Sequence, residues 1–246
     1  MSQPVIYTNK LTKKFGDFVA ANELSFEVQP GEIFGFLGAN GAGKTTAMRM
    51  LCGLLVPSSG EAHVAGFDVY KQREKIKQNI GYMSQKFSLY EDLTVSENIK
   101  FYAGIYGLSN SEIKEKTERL LKQLDLENEA NQLVSSLPLG WRQKLSFSVA
   151  IIHEPRIVFL DEPTGGVDPV TRRQFWDLIY DASSRGITAF VTTHYMDEAE
   201  YCNRISIMVD GVIEALDSPV NLKKKFNAVS MDDVFRQLAR RAKRSE

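Results

Sequence analysis

The sequence predicts an α/β protein whose core holds a mixed or parallel sheet, with an N-terminal antiparallel β subdomain and a mostly helical insert. The short, continuous apolar runs IVFL and ITAFV are typical of strands that a parallel sheet buries on both faces. A glycine-rich loop, GANGAGKTT, lies between the apolar run IFGFL and a stretch that favours helix, as in a strand–loop–helix unit. Two capping boxes in the middle of the chain indicate that helices interrupt the strands.

The first third of the chain is predicted to consist of strands and one helix. VIYTNKL and LSFEV are candidate strands, and apolar and polar residues alternate strictly from Leu24 to Val28. The turn signal Pro30-Gly31 separates LSFEV from the strand IFGFL. A helix is expected from about Lys44 to Leu55, where Pro57 stops it, and IGYMS forms another short strand that leads into Gln85.

The middle of the chain is predicted to be a helical subdomain over residues 86–155, from Lys86 to Pro155. It interrupts a core formed by residues 1–85 and 156–246, and the absence of a Pro/Ser-rich linker favours a single domain over 1–246. Two capping boxes open its helices, Thr94 with Glu97 and Ser109 with Glu112.

The last third alternates between strands and helices. A helix is expected between IVFL and ITAFV, with Asp168 as its N-cap, Pro169 at its first position and Gly186 after its end. ISIMVDGVIEAL is predicted to form a hairpin around Asp210-Gly211. The segment SMDDVFRQLARRAKRSE is predicted to be an amphipathic helix whose acidic start and basic end match the helix dipole.

Composition excludes several functional classes. The 246 residues carry a formal net charge of −1, so no global field attracts nucleic acid or an anionic membrane, and we expect no nucleic-acid partner. No apolar run approaches the ~18 residues that a membrane span requires, so the chain is expected to be soluble by itself. Cys52 and Cys202 form no metal-binding or redox spacing and are expected to be reduced thiols.

The loop GANGAGKTT has the spacing and the context of a phosphate-binding loop. Glycines let backbone N–H groups approach phosphate oxygens without a Cβ in the way. Lys44 is expected to reach the β- and γ-phosphates, and the Thr45 hydroxyl is expected to bind Mg²⁺. The predicted ATP-binding residues of this loop are Gly38, Ala39, Asn40, Gly41, Ala42, Gly43, Lys44, Thr45 and Thr46.

Three other predicted strands end in polar side chains. IVFLDE ends in Asp161 and Glu162, ITAFVTTH in His194, and IGYMSQ in Gln85. Paired acids at a strand end usually lie in a solvated turn, and a lone His or Gln is usually a surface residue. Beside a phosphate loop, however, Asp161 is expected to hold Mg²⁺ and Glu162 to orient or deprotonate the attacking water.

Together these residues resemble the nucleotide-binding domain of ABC transporters, over nearly the whole chain. The resemblance covers the phosphate loop, Gln85, IVFLDEPT, the loop GGVDP with Asp168, and His194 as the switch histidine. It implies a P-loop NTPase fold and a catalytic set of Lys44, Gln85, Glu162 and His194, with Thr45, Gln85 and Asp161 around Mg²⁺. Phe15 matches the aromatic residue that stacks on adenine, although a strand-end core position is the alternative. DEPTGGVDP, MDEAE and SMDDVF look most like bacterial exporters of the drug-resistance type.

The signature segment departs from the family pattern. The family has Leu-Ser-Gly-Gly-Gln or a close relative, which closes over the γ-phosphate held by the opposite subunit, whereas this chain has Leu137, Pro138, Leu139, Gly140 and Trp141. The hydroxyl donor is lost, and proline also removes a backbone N–H. LPLGW-like variants occur in a subgroup of these exporters. Either the sandwich is weakened, or Trp141 rebuilds it by packing against the opposite loop.

The resemblance implies an ATPase that acts as a homodimer or heterodimer on the cytoplasmic side of the membrane, bound to an integral membrane permease subunit. Gln85 and the stretch through Phe101, Tyr102 and Tyr106 are candidates for that contact, and core packing of the aromatics is an equal alternative. A GTPase is disfavoured because no Asn/Thr-Lys-x-Asp motif follows the loop. A chromosome or repair ATPase would insert a long coiled coil, and a translation factor would carry two cassettes. A regulatory subunit that hydrolyses ATP poorly remains an alternative.

Overall fold

The computed structural model describes residues 3–85 and 89–242, with backbone alone for residues 241 and 242. It opens with a four-stranded antiparallel sheet in the order β2-β1-β4-β5. These strands are β1 (Ile6–Phe15), β2 (Phe18–Val28), β4 (Ser59–Val64) and β5 (Phe67–Asp68). The expected N-terminal β subdomain is thus confirmed, although its two short strands, β4 and β5, were not anticipated.

A second sheet of six strands forms the core, in the order β10-β9-β3-β8-β7-β6. Its strands are β3 (Ile33–Gly38), β6 (Ile80–Met83), β7 (Ile157–Asp161), β8 (Thr188–Thr193), β9 (Arg204–Val209) and β10 (Val212–Asp217). All pairings are parallel except that of β10, which turns back on β9 at Asp210-Gly211, so the mixed sheet is confirmed. Every residue of β3, β7 and β8 is buried, as continuous apolar runs predict.

Eight α-helices lie within the described residues. They are α1 (Lys44–Leu51), α2 (Arg73–Asn79), α3 (Val95–Ile105), α4 (Asn110–Gln123), α5 (Leu139–Ala150), α6 (Pro169–Ser184), α7 (Pro219–Lys225) and α8 (Met231–Ala242). Helix α1 ends four residues before the predicted Leu55, because the chain turns at Gly53, whose φ of 69° is left-handed. The short helices α2 and α7 were missed, since neither carries a full apolar period.

Helices α3, α4 and α5 pack around an apolar cluster of their own, which includes Ile99, Leu121 and Leu145. Both capping boxes are confirmed at the starts of α3 and α4. Helix α5 also contributes Phe147 and Ala150 to the core beneath the six-stranded sheet, so it joins the helical subdomain to that sheet. The expected first residue of the insert, Lys86, lies outside the described residues.

Close-packed phenylalanine rings join the two sheets. Phe26 of the antiparallel sheet packs on Phe34, Phe36 and Phe190 of the central sheet, with ring centroids 5.6 to 6.2 Å apart. Such close-packed rings resist shear. This packing fixes the carboxyl edge of the central sheet, where β3, β6, β7 and β8 all end. Among the described residues, no helix is both long and apolar enough to cross a membrane.

Candidate nucleotide-binding site

The phosphate loop connects the end of β3 to α1 at this edge. Gly43 is the N-cap of α1 at φ 98°, and a Cβ there would stand 2.1 Å from the carbonyl oxygen of Ala20. Only glycine fits this position. Because Gly43 has no side chain, it leaves the first N–H groups of α1 to face an anion.

The ammonium group of Lys44 lies inside this loop. Its Nζ donates to the carbonyl oxygens of Gly38 at 2.9 Å and Ala39 at 3.1 Å. It also lies 3.6 Å from Oε1 of Glu162, and the side chain is 5% exposed. Burial lowers the pKa of Lys44 below its ordinary value, and the neighbouring Glu162 opposes that shift. The loop thus concentrates one cation beside the helix N-terminus.

Glu162 is the point at which the other strand ends meet. Its Oε2 accepts from Nε2 of Gln85 at 2.9 Å and lies 3.1 Å from Nδ1 of His194. Its backbone has φ 49°, and its N–H donates to both the carbonyl and the hydroxyl oxygen of Thr192 at 3.1 Å. The carboxylate is thus enclosed by side chains from three other segments, those of Lys44, Gln85 and His194, and a fixed orientation of this kind suits a general base.

Asp161 is buried at the end of β7 and faces two hydroxyl groups. Thr192 donates to its Oδ1 at 2.6 Å, and the Thr45 hydroxyl lies 3.4 Å from the same oxygen. Carboxylate and hydroxyl oxygens are the ligands that Mg²⁺ prefers, so this pair fits a magnesium ion completed by phosphate and water oxygens. Within residues 3–85 and 89–242, no group of three or more His, Cys, Asp or Glu side chains is arranged to hold a metal unaided.

Phe15, the aromatic residue expected to stack on adenine, has an aromatic neighbour, Phe18, that the sequence analysis missed. Phe15, at the end of β1, is half-exposed, and the Lys13 ammonium lies 5.0 Å from its ring centre. Its cross-strand partner Phe18 lines the cleft of the phosphate loop, together with Asn40 and Lys44. Phe18 is therefore a second aromatic candidate for contact with a base, beside Phe15. The adjacency of Phe18 to Phe15 across a two-residue turn was the signal available in the sequence.

The signature residues do not line the phosphate-loop cleft of their own chain, within the part of the molecule that the structure describes. Leu137 is buried in the helical subdomain, Pro138 is the N-cap of α5, and Leu139 begins that helix. Gly140 has no room for a side chain, since a Cβ would stand 2.3 Å from Cγ2 of Thr171. The indole of Trp141 packs against the core of its own subdomain. The packing of Trp141 against an opposite loop stays a prediction.

Asp168 caps α6 as predicted and lies at the surface. Its Oδ1 accepts from the N–H groups of Val170 and Thr171 at 3.0 Å, and its Oδ2 accepts from the Thr171 hydroxyl at 2.6 Å. These bonds hold the pKa of Asp168 below its ordinary value, the Thr171 hydroxyl being the largest cause. The Thr171 side chain therefore touches both the cap and the signature glycine.

Comparison with known proteins agrees with this geometry. Residues 21–165, more than half of the chain, match the ABC transporter family model. The chain therefore belongs to the ABC transporter family, and its fold is that of the ATP-binding subunits.

Individual relatives and solved structures are also similar to the chain. The chain is 50% identical over 221 residues to the probable multidrug ABC transporter ATP-binding protein YbhF of Escherichia coli, a match that covers 90% of this chain and 38% of YbhF. The chain thus spans well under half the length of that relative. A solved ATP-binding subunit of an ABC transporter superposes with a TM-score of 0.85 at 25% identity, covering 95% of this chain and 99% of that one. The dimeric MJ0796 cassette bound to ADP and Pi gives 0.78 at 26% identity, covering 87% and 98%.

Proposed function

We propose that this chain binds and hydrolyses ATP and couples both steps to substrate export by a separate integral membrane subunit. The convergence of Lys44, Gln85 and His194 on Glu162, beside a phosphate loop, carries the proposal. In this proposal the γ-phosphate and its attacking water bind beside that cation, carboxylate and imidazole. The name of YbhF, a probable multidrug transporter component, supports export.

Each residue has a distinct role in this proposal. The loop N–H groups and Lys44 bind the β- and γ-phosphates, while Thr45, Asp161 and Gln85 hold Mg²⁺, which neutralises phosphate charge when bound. Glu162 accepts a proton from water at its carboxylate, and the His194 imidazole lies beside it, with Nδ1 3.1 Å from Oε2. Phe15, with Phe18 beside it, stacks on the adenine ring.

The signature acts across a dimer, as a homodimer or a heterodimer. Leu137–Gly140 and Asp168 lie away from the phosphate-loop cleft of their own chain, so a second cassette is needed to bring them to an ATP molecule. The MJ0796 neighbour is described as dimeric after hydrolysis, which supports this arrangement. ATP binding would close the pair and hydrolysis would reopen it.

The membrane subunit would contact the exposed aromatic residues of the helical subdomain, on the cytoplasmic side of the membrane. Phe101 and Tyr90 are about half-exposed and meet edge to face at 5.0 Å. Tyr102 and Tyr106 instead pack against the subdomain core, and burial raises the pKa of Tyr106 to about 12. We therefore assign the contact to Phe101 and Tyr90. The Tyr102 ring packs against both, at 5.4 and 6.2 Å, while the Tyr106 ring stacks on His153.

ATP turnover tests the enzymatic part of the proposal. Purified protein is expected to release phosphate from ATP with Mg²⁺ and to stop when EDTA removes it. Tight nucleotide binding without turnover, in the presence of the membrane subunit, would instead favour a regulatory ATP-binding subunit. Loss of binding and turnover alike would reject both alternatives.

Co-purification from native membranes tests the partner. Phe101→Ser is expected to release an integral membrane protein that wild type retains, while Tyr180→Ser, which removes a similarly exposed ring on α6, retains it. Asp92→Lys is a second probe of the same face. It is cleaner than a change at Glu91, whose carboxylate pairs with Arg142 of α5 at 3.3 Å. Retention by all variants would exclude this face as the contact.

A further inference from the structure

A buried carboxylate lies beside the nucleotide site and takes no part in the chemistry described above. Glu198, in the 3₁₀ turn Met196–Tyr201, is fully buried. Its Oε1 accepts from the hydroxyl of Thr164, which is itself buried, and lies 3.6 Å from Nε of Arg172. A carboxylate is costly to bury, and an apolar side chain of similar volume is often at least as stable in such a place. Its presence therefore calls for a role besides packing.

Arg172 connects this carboxylate to two other segments. Its guanidinium lies 4.5 Å from the ring centre of Tyr195, and its Nη1 lies 3.3 Å from Oδ2 of Asp197. Its backbone N–H donates at 2.9 Å to the carbonyl of Asp168, so it belongs to the first turn of α6. A planar cation on an aromatic face is a geometry that arginine favours and that lysine does not reproduce.

The stack continues into the catalytic site. The rings of Tyr195 and His194 lie 4.1 Å apart, and Nδ1 of His194 lies 3.1 Å from Oε2 of Glu162. Thr164, bonded to Glu198, stands two residues after Glu162 in the chain. A closed circuit of contacts therefore runs from Glu162 through the two rings, the guanidinium and the buried carboxylate, and returns to Glu162.

We propose that Arg172 and Glu198 are positioning residues that set the orientation of His194 and couple it to the Asp168 end of α6. The proposal rests on the ATPase function proposed above. Because Asp168 is expected to meet the opposite cassette, closure of the dimer would press on the first turn of α6. Close-packed groups cannot absorb that displacement locally, so Arg172 would pass it through Tyr195 to the imidazole.

Histidine NMR tests this proposal without requiring activity. The chain has three histidines, His63, His153 and His194, so the ring signals of histidine-labelled protein can be assigned by a His194→Ala variant. Arg172→Met is expected to displace the ring signals of His194, because the guanidinium no longer fixes the Tyr195 ring against it. Arg173→Met is the matched control, since Arg173 is the next residue of α6, is 61% exposed, pairs with Asp177 at 3.5 Å and lies 5.6 Å from the ring centre of Tyr201 rather than on that of Tyr195.

Turnover provides the second readout. Arg172→Met is expected to lower kcat roughly ten- to a hundredfold through misplacement of His194. The ATP concentration that gives half-maximal turnover is expected to change by less than about twofold. If Arg172 served the fold alone, the variant would give less folded protein, but kcat of the folded fraction would not fall. Glu198→Gln keeps an acceptor for Thr164 but removes the charge facing Arg172, so it is expected to act in the same direction. Glu198→Gln also tests the proposal if Arg172→Met does not fold.

Unmoved His194 signals in either folded variant, or equal effects of Arg172→Met and Arg173→Met, would overturn the proposal. A wild-type protein that binds ATP but does not hydrolyse it would overturn the ATPase function instead. The NMR comparison would still decide whether Arg172 positions His194. The two failures are therefore distinguishable.

Discussion

Substituting Glu162 by glutamine tests the assignment of the catalytic base. The amide keeps the shape of the side chain and can still accept from Nε2 of Gln85, a bond of 2.9 Å in the structure. It cannot accept a proton from water. Hydrolysis is therefore expected to fall by roughly 10²–10⁴-fold, which corresponds to about 2.7–5.4 kcal/mol of activation free energy.

ATP binding is expected to respond in the opposite direction. The Glu162 carboxylate is 11% exposed and lies 3.6 Å from Nζ of Lys44, so it competes with phosphate for that cation. Removing its charge also removes repulsion toward the γ-phosphate. ATP affinity is therefore expected to hold or to rise, and a closed ATP-loaded dimer is expected to accumulate.

Phosphate release, nucleotide titration and size-exclusion chromatography with ATP measure these three effects. Glu200→Gln is the control, because Glu200 is 43% exposed and pairs with Lys223 away from the phosphate loop, so its loss is expected to leave turnover unchanged. Hydrolysis at the wild-type rate by Glu162→Gln would refute the assignment of Glu162 as the base. Weakened ATP binding would refute the electrostatic argument alone.

Three further predictions concern the phosphate loop and the signature. Lys44→Ala is expected to weaken ATP binding by about 1.5–3 kcal/mol, the value of a hydrogen bond to a charged group, and unchanged affinity in a nucleotide titration would contradict it. Pro138→Ser with Leu139→Gly is expected to strengthen ATP-driven dimerisation in the Glu162→Gln background, by about 1.5–3 kcal/mol at most. The ATP concentration for half-maximal dimerisation would fall accordingly. Dimerisation that stays the same or weakens would show that the present residues already suffice. Trp141→Ala is expected to destabilise the helical subdomain by about 1–3 kcal/mol, less than for a fully buried Trp, because the partly buried indole packs on that core. A thermal transition at the wild-type temperature would contradict that.

Much of the site could be predicted because it lies at the ends of parallel strands. Once β3, β6, β7 and β8 are placed in one sheet, their carboxyl ends must meet, so Gln85, Asp161 and His194 come together wherever the chain runs between them. The capping boxes were equally accessible, since each depends on residues three positions apart.

Other features depend on tertiary contacts that leave no local pattern. Thr192 lies in an apolar strand and looks like an ordinary β-branched residue, yet its hydroxyl joins Asp161 to the backbone of Glu162. Arg172 and Glu198 lie 26 positions apart and meet through the packing of α6 against the turn after β8. The packing of Trp141 on its own subdomain was not predictable for the same reason, since sequence does not show whether an indole faces inward.

The left-handed backbone of Glu162 explains how two consecutive acids serve one site. In an extended strand, Asp161 and Glu162 would point to opposite faces of the sheet. A φ of 49° at Glu162 breaks that alternation, so its carboxylate turns back toward Lys44 while Asp161 remains beside Thr45. This conformation costs about 1–2 kcal/mol for a residue with a Cβ, and the two bonds from its N–H to Thr192 offset part of it. Strain of this kind persists where the surroundings impose it, and here it turns both carboxylates toward the phosphate loop, that of Glu162 to Lys44 and that of Asp161 to Thr45.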